Sequence, residues 1–193
     1  MSGPFDNPDS AHERMRMIPI GDIMAPLAMW VREALCRHAL DDAKEPINMV
    51  INSNGGDVWE SFSVMDAMDT ARGLLSGKKA KIHGVVHGMC ASAAFTILQY
   101  CDVRKMTENS ILMAHGVTSM FSGDERTYER NKFLLTHVNT RTSRLYAART
   151  GLPAEDWMKI LRDEIPTWYT SEEALKHNLV DEVIPNPVIA NAV

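Results

Sequence analysis

Apolar positions follow two alternating rhythms along the chain. Met15 to Ile23 is a mostly apolar run that closes at Gly21-Asp22 and reads as a first strand. Pro19 inside it points to an edge or irregular strand, because proline has no N–H to give a neighbour. Leu27 to Asp42 places Leu27, Trp30, Val31, Ala34, Leu35 and Ala39 near helical spacing. Ile47 to Ile51 is a short strand-like run that enters Asn52-Ser53-Asn54-Gly55-Gly56, a glycine turn. Val58 to Leu75 then carries Phe62, Met65, Met68 and Ala71 on one helical face. Ala80 to Val86 is the next strand and Phe95 to Leu98 the next helical run, with Gly88-Met89-Cys90-Ala91-Ser92-Ala93-Ala94 between them.

The second half keeps the alternation. Val103 to Met106 and Ile111 to Ala114 are short strands, and His115-Gly116 closes the second. Val117 to Gly123 is a loop or an exposed extended segment. Asp124 to Arg149 is charged and free of glycine and proline. Its apolar members Tyr128, Leu134, Leu135, Val138, Leu145 and Tyr146 fall on one side and form an expected subunit-packing stripe. At 1.5 Å per residue such a helix reaches ~40 Å, more than a compact domain of this size spans, so it is expected to project. Gly151 stops it, and Pro153 opens a further helix to about Glu164. Ser171 is the expected N-cap of a helix over Glu172 to His177, with Asn178 at C′, and Leu179 to Ile184 reads as the last strand. This order predicts an α/β fold with mostly parallel strands. One domain is expected over residues 15–193, behind a polar, proline-broken flexible arm at 1–14.

Composition narrows the classes. The 193 residues suffice for one sizeable core, and 45% hydrophobic with 23% charged is a globular balance. A net charge of −5 without a basic run argues against nucleic acid as a partner. No run approaches the ~20 apolar residues that span a bilayer, so no membrane partner is expected. Three cysteines without framework spacing, and no apolar signal core near the N-terminus, point to reduced thiols and a cytoplasmic location. There is no P-loop, so the chain is not expected to use ATP itself. His83, His87 and Cys90 have spacings that suggest zinc, but they span two elements and a structural role is the better reading. No metal or cofactor is expected.

Chemistry gathers at three strand ends. Gly55-Gly56, Ser92 and His115 each close a strand at what should be one edge of a parallel sheet, where α/β folds carry their sites. Ser92 also opens a helix, whose free N–H groups and dipole favour developing negative charge. A serine hydroxyl is a weak nucleophile near neutral pH and needs a base such as histidine.

In this order and spacing, these segments resemble the ClpP family, the proteolytic subunits of the Clp protease, and above all its phage and prophage branch, the head maturation proteases. The motifs that carry the resemblance are the strand and diglycine at residues 47–56, Gly88-x-x-Ala91-Ser92 with Ala93-Ala94-Phe95, and Met113-Ala114-His115. The long helix after Gly123 adds to them, as do Trp168-Tyr169-Thr170-Ser171-Glu172-Glu173-Ala174 and Asn178-Leu179-Val180-Asp181.

The resemblance implies a ClpP/crotonase-like β-β-α spiral with a protruding handle helix at about 124–150. It implies a homo-oligomer, either a heptamer or a stacked double ring, acting on polypeptide substrates with an AAA+ unfoldase as a possible partner. Ser92 would be the nucleophile and His115 the base, with the backbone N–H groups of Gly56 and Ala93 as oxyanion hole.

The third catalytic position is ambiguous. Counting back from Trp168 places the family aspartate on Pro166, whereas counting forward from Thr150-Gly151 places it on Glu164. Glu164 is preferred because it can orient an imidazole, with Asp163 next. Gly116-Val117 also stands where the family often has Gln-Pro, in a segment that should clamp substrate as an added strand. The alternative to a serine endopeptidase is a ring subunit with little or no catalysis. A crotonase-like acyl-CoA enzyme would need no Ser–His pair. A signal-peptide-peptidase-like enzyme would use a lysine base and a membrane anchor.

Overall fold

The computed structural model describes residues 15–41, 45–75 and 80–190, and the arm expected at 1–14 lies outside them. The first elements are β1 (Met17–Ile20), α1 (Ala25–Leu40), β2 (Ile47–Ser53), α2 (Val58–Leu74), β3 (Ile82–Ala91) and α3 (Ala93–Tyr100). They are followed by β4 (Val103–Thr107), β5 (Ile111–Ala114), α4 (Glu125–Thr150), α5 (Ala154–Arg162), β6 (Thr167–Tyr169), α6 (Ser171–Lys176), β7 (Glu182–Ile184) and α7 (Pro187–Ala190).

β1, β2, β3, β4 and β7 lie side by side in parallel, and β5 joins β3 while β6 pairs antiparallel with β5. β1 is an edge strand, which is where Pro19 can stand without breaking a ladder. The sheet residues that face inward, among them Ile18, Ile47, Met49, Ile51, Ile82 and Val86, are fully buried. Among the described residues no helix is long and apolar enough to cross a membrane.

The feature that places the site is a break in β3. The strand does not stop at Val86, as its hydrophobicity suggests, but continues to Ala91. Beside it, a step of two residues on β2, Ile51 to Ser53, is matched by a step of four on β3, Val86 to Cys90. The surplus residues form a bulge in which Gly88 adopts φ +99°, a left-handed value suited to glycine. Its backbone is satisfied from both sides: Gly88 N–H donates to Ser110 Oγ at 2.9 Å, and Met89 N–H to Asn52 Oδ1 at 3.2 Å. Before the bulge β3 pairs with β4, and after it with β5. One strand thus serves two partners, and its end is turned toward β5 and the residue that follows it, His115.

Two expectations at the C-terminal end are corrected. The N-cap of α6 is Thr170 rather than Ser171: Thr170 Oγ1 accepts from Glu173 N–H, and the Glu173 carboxylate accepts from Thr170 N–H at 2.9 Å. Ser171 is buried instead, and its hydroxyl donates to the Glu108 carbonyl. Leu179 and Val180 are core residues but not strand. Asn178 turns at φ +55°, and the N–H groups of Asn178 and Leu179 close onto the carbonyls of Leu175 and Ala174, which is a Schellman end. The ladder therefore begins only at Glu182. Arg104, almost fully buried, fastens this segment through the Asp181 carboxylate, the Gln99 side chain and the Asn178 carbonyl.

α4 is long, as its composition requires, starting at the Asp124 cap and ending at left-handed Gly151. Its second half packs inward: Phe95 of α3, Tyr146 of α4 and Trp157 of α5 form a ring cluster with centroids 5.0–6.2 Å apart. Its first half leaves Tyr128 53% and Phe133 67% exposed, so it projects from its own core.

Candidate active site

Ser92 sits at the turn from β3 into α3 with φ +56° and ψ −123°. A non-glycine residue there carries about 1–3 kcal/mol of strain, tolerated only where the surroundings hold it. They do so here: Ser92 N–H donates to the Met113 carbonyl of β5 at 3.0 Å, and its own carbonyl starts the helix by accepting from Thr96 N–H. The sharp turn lifts Oγ off the sheet edge, where it meets His115 Nε2 at 2.7 Å.

His115 follows β5 directly and is half-buried. Burial holds its imidazole below the usual histidine range, and a backbone hydrogen bond at Gly116 works against this by favouring the protonated ring. A ring N–H given to that backbone leaves Nε2 with its lone pair toward Ser92 Oγ, the tautomer a general base needs.

The diglycine turn reaches the same place. A Cβ on Gly55 would lie 2.6 Å from Ser92 Cβ, and one on Gly56 would lie 2.1 Å from the Ile23 carbonyl oxygen. Both residues have positive φ, so glycine is needed for space and for conformation alike. Ile23 bridges to Gly56 by taking the Gly55 carbonyl and the Asp57 N–H. In such a pairing the N–H of Gly56 itself faces the other way. Ala93 is the first residue of α3, so its N–H has no acceptor within the helix.

A cavity of about 290 Å³ adjoins these groups, and its lining includes Gly56, Ser92, Ala93, His115 and Val117. Its remaining wall comes largely from α4, including Leu134, Leu135, Val138 and Tyr146. The expected packing stripe is therefore divided. Val138 and Tyr146 are buried within the chain, Leu134 and Leu135 line the cavity, and the apolar side chains α4 turns outward are Tyr128 and Phe133.

Glu164 and Asp163 are not brought to His115 by any hydrogen bond or ion pair among the described residues. α5 ends at Arg162, and both acids are exposed in the bend that follows, where Asp163 accepts from Ile165 N–H. The register explains the gap. Ala114 pairs with Thr167 on β6, so continuing the ladder sets Pro166, not Glu164, opposite His115.

His83, His87 and Cys90 all lie on β3 rather than on two elements, but Cys90 is fully buried while the two histidines are not, and among the described residues no three such side chains are grouped to hold a metal. Sequence reasoning missed Asn139, whose Oδ1 accepts from Val117 N–H at 2.9 Å beside the cavity. No signal in the sequence marks it, because an amide in a polar helix gains a role only once the fold sets Val117 N–H against it.

Comparisons with known proteins bear on the family of the chain. The family model described as Clp protease matches residues 11–187. A relative from Bifidobacterium longum (strain NCC 2705), an ATP-dependent Clp protease proteolytic subunit 2, is 26% identical over 96% of this chain and 87% of its own length. The protein of the same name from Tropheryma whipplei (strain Twist) is 29% identical over 74% of this chain and 76% of its own. An ATP-dependent Clp protease proteolytic subunit from Deinococcus radiodurans is 30% identical over 73% and 66%. With nearly the whole fold inside the matched span, and a serine and histidine in contact at the ends of β3 and β5, the chain belongs to the Clp protease family.

Proposed function

We propose that this chain is a serine endopeptidase that hydrolyses peptide bonds inside a chamber built from rings of its own copies. The observation that carries the reading is the 2.7 Å contact between Ser92 Oγ and His115 Nε2 beside the cavity. Ser92 Oγ attacks the scissile carbonyl carbon while its proton passes to His115 Nε2. The oxyanion is held by the N–H groups of Gly56 and Ala93, and the imidazolium then gives its proton to the leaving amine. Water repeats the cycle and frees the acyl group. The backbone at Gly56 and Asp57, just ahead of α2, and the segment Gly116 to Ser119 flank the cavity and suit a substrate added as a strand. The wall at Thr96, Leu134, Leu135, Val138, Thr142 and Tyr146 carries no charge and suits an apolar side chain next to the cut. The deciding experiment is labelling by a fluorophosphonate, with the modified residue mapped; labelling at Ser92 is expected, and no labelling rejects the reading.

No carboxylate among the described residues bonds to His115, and the alternative of a ring subunit with little turnover is separated from the active reading by the same probe. For the active reading an expected result follows. Glu164→Gln lowers peptide turnover by less than about threefold, because Glu164 is exposed and bonds to nothing at the site, whereas a loss of tenfold or more (~1.4 kcal/mol) would bring it into the mechanism. The acid limb of kcat/KM is expected below the ordinary histidine value of about 6.5, since burial disfavours the charged ring.

Rings are proposed to meet through the outward side of α4. Phe133→Glu, at an exposed position, is expected to leave the subunit folded and to separate stacked rings, because it would bury a charge at an apolar contact. Sedimentation checks this, and an unchanged assembly would count against α4 as the handle. The relatives are named ATP-dependent, which suits an ATP-driven partner such as the unfoldase that the resemblance implies. Three free cysteines fit a cytoplasmic setting, and a place in the phage branch rests on the sequence motifs alone.

A further inference from the structure

A histidine base needs a group that holds its ring, and here no acidic side chain among the described residues bonds to His115. The contacts that are present converge on one peptide unit, the bond between Gly116 and Val117. Its N–H is taken by Asn139 Oδ1 of α4 at 2.9 Å. Its carbonyl belongs to Gly116, the residue whose backbone hydrogen-bonds the His115 ring. The unit is also pressed from a third side. A Cβ on Gly116 would lie 1.9 Å from the carbonyl oxygen of Leu161 near the end of α5, and 3.3 Å from Asn139 Nδ2. Gly116 is therefore a glycine for reasons of space, and the plane of its peptide is set by α4 and α5 together.

We infer that Asn139 is a positioning residue for catalysis. By holding the N–H of the Gly116–Val117 peptide, it aims that peptide's carbonyl at the His115 ring, so that a backbone group does the orienting usually done by a carboxylate. The N–H and C=O of a trans peptide point in opposite directions, so fixing one fixes the other. Accepting a hydrogen bond from the N–H also polarises the carbonyl and makes it a better acceptor. The arrangement accounts for Pro166 opposite His115: with the backbone in this role, that position needs no acid. It also joins the helix whose outer half projects for assembly to the catalytic base, through one side chain.

The inference rests on the peptidase reading, and its test keeps the two apart. The rate of fluorophosphonate labelling is measured from pH 5 to 9 for the parent, Asn139→Leu and Asn139→Asp, with sedimentation and thermal melting run alongside. This small probe does not need the strand clamp, so its rate reports the Ser–His pair rather than substrate docking. Asn139→Leu keeps the size and loses the acceptor, and is expected to label at least tenfold more slowly. Asn139→Asp keeps an acceptor for Val117 N–H and adds a negative charge. It is expected to label within about threefold of the parent at the plateau, with its acid limb moved to higher pH, because a nearby carboxylate favours the imidazolium.

Labelling of Asn139→Leu at the parent rate overturns the inference, and so does an equal loss in both variants, which would mean that the site merely tolerates no change. If Asn139→Leu does not fold, the aspartate variant decides alone, and an unmoved acid limb overturns the inference. A parent that is not labelled at all overturns the peptidase reading itself, and this inference with it.

Discussion

Ser92→Ala is expected to abolish fluorophosphonate labelling and to lower peptide turnover by a factor on the order of 10⁵–10⁶, while melting temperature and assembly stay near those of the parent. The size of the effect follows from how the groups act. Nucleophile and base work as one unit, so removing either alone costs about as much as removing both. The fold should survive because Ser92 contributes little to packing through its side chain. Its structural bonds are backbone ones, from its N–H to Met113 and from Thr96 N–H to its carbonyl, and alanine can make both. One local cost remains, since alanine must also adopt φ +56°, a conformation that costs about 1–3 kcal/mol. Mass spectrometry of the labelled chain gives the result, and labelling retained in the alanine variant would falsify the assignment of Ser92.

Gly56→Ala is expected to have the second largest effect, and it acts on both activity and stability. The added methyl would begin 2.1 Å from the Ile23 carbonyl oxygen, inside any allowed contact, and alanine would have to hold φ +141°. The turn must move away from Ile23, which breaks the bridge between them and shifts the Gly56 N–H. Losing one donor to an oxyanion costs about 10²–10³ in turnover. The strained backbone should lower the melting temperature as well. Turnover of a short peptide and thermal melting, measured together on the variant, check both halves. A variant within fivefold of the parent in kcat would remove Gly56 from the oxyanion hole.

Most of the elements were legible in the sequence because their causes are local. β5 has the bounds its apolar run sets, and α4 begins and ends within a residue of the span its composition marks, because Asp124 caps it and Gly151 stops it. The strand ends at Gly55-Gly56, Ser92 and His115 could be placed at one edge of the sheet because a parallel β-α-β order leaves them no other. The match to a Clp protease model over residues 11–187 accords with the ordered set of motifs, each weak by itself.

What the sequence left undecided depends on contacts between distant segments. The bulge in β3 exists because Asn52 and Ser110, 37 and 22 residues from the groups they bind, satisfy its backbone. Without them the strand would have to end near Val86, as its hydrophobicity suggests. β6 is only three residues long, too short to show a period, and β5 alone creates it. The two counts for the third catalytic position disagree because an insertion has no location in a single sequence, whereas a ladder assigns every residue a partner. Leu135 and Phe133 look alike along the helix, and only the packing of α4 sends one to the cavity and the other to solvent. Asn139 became meaningful for the same reason: a side-chain amide in a polar helix carries no message until the fold sets a backbone N–H 2.9 Å away. Local propensity acts over a few residues. Register and close approach are settled by the balance of burial and hydrogen bonding across the whole chain, and those are what assemble this site.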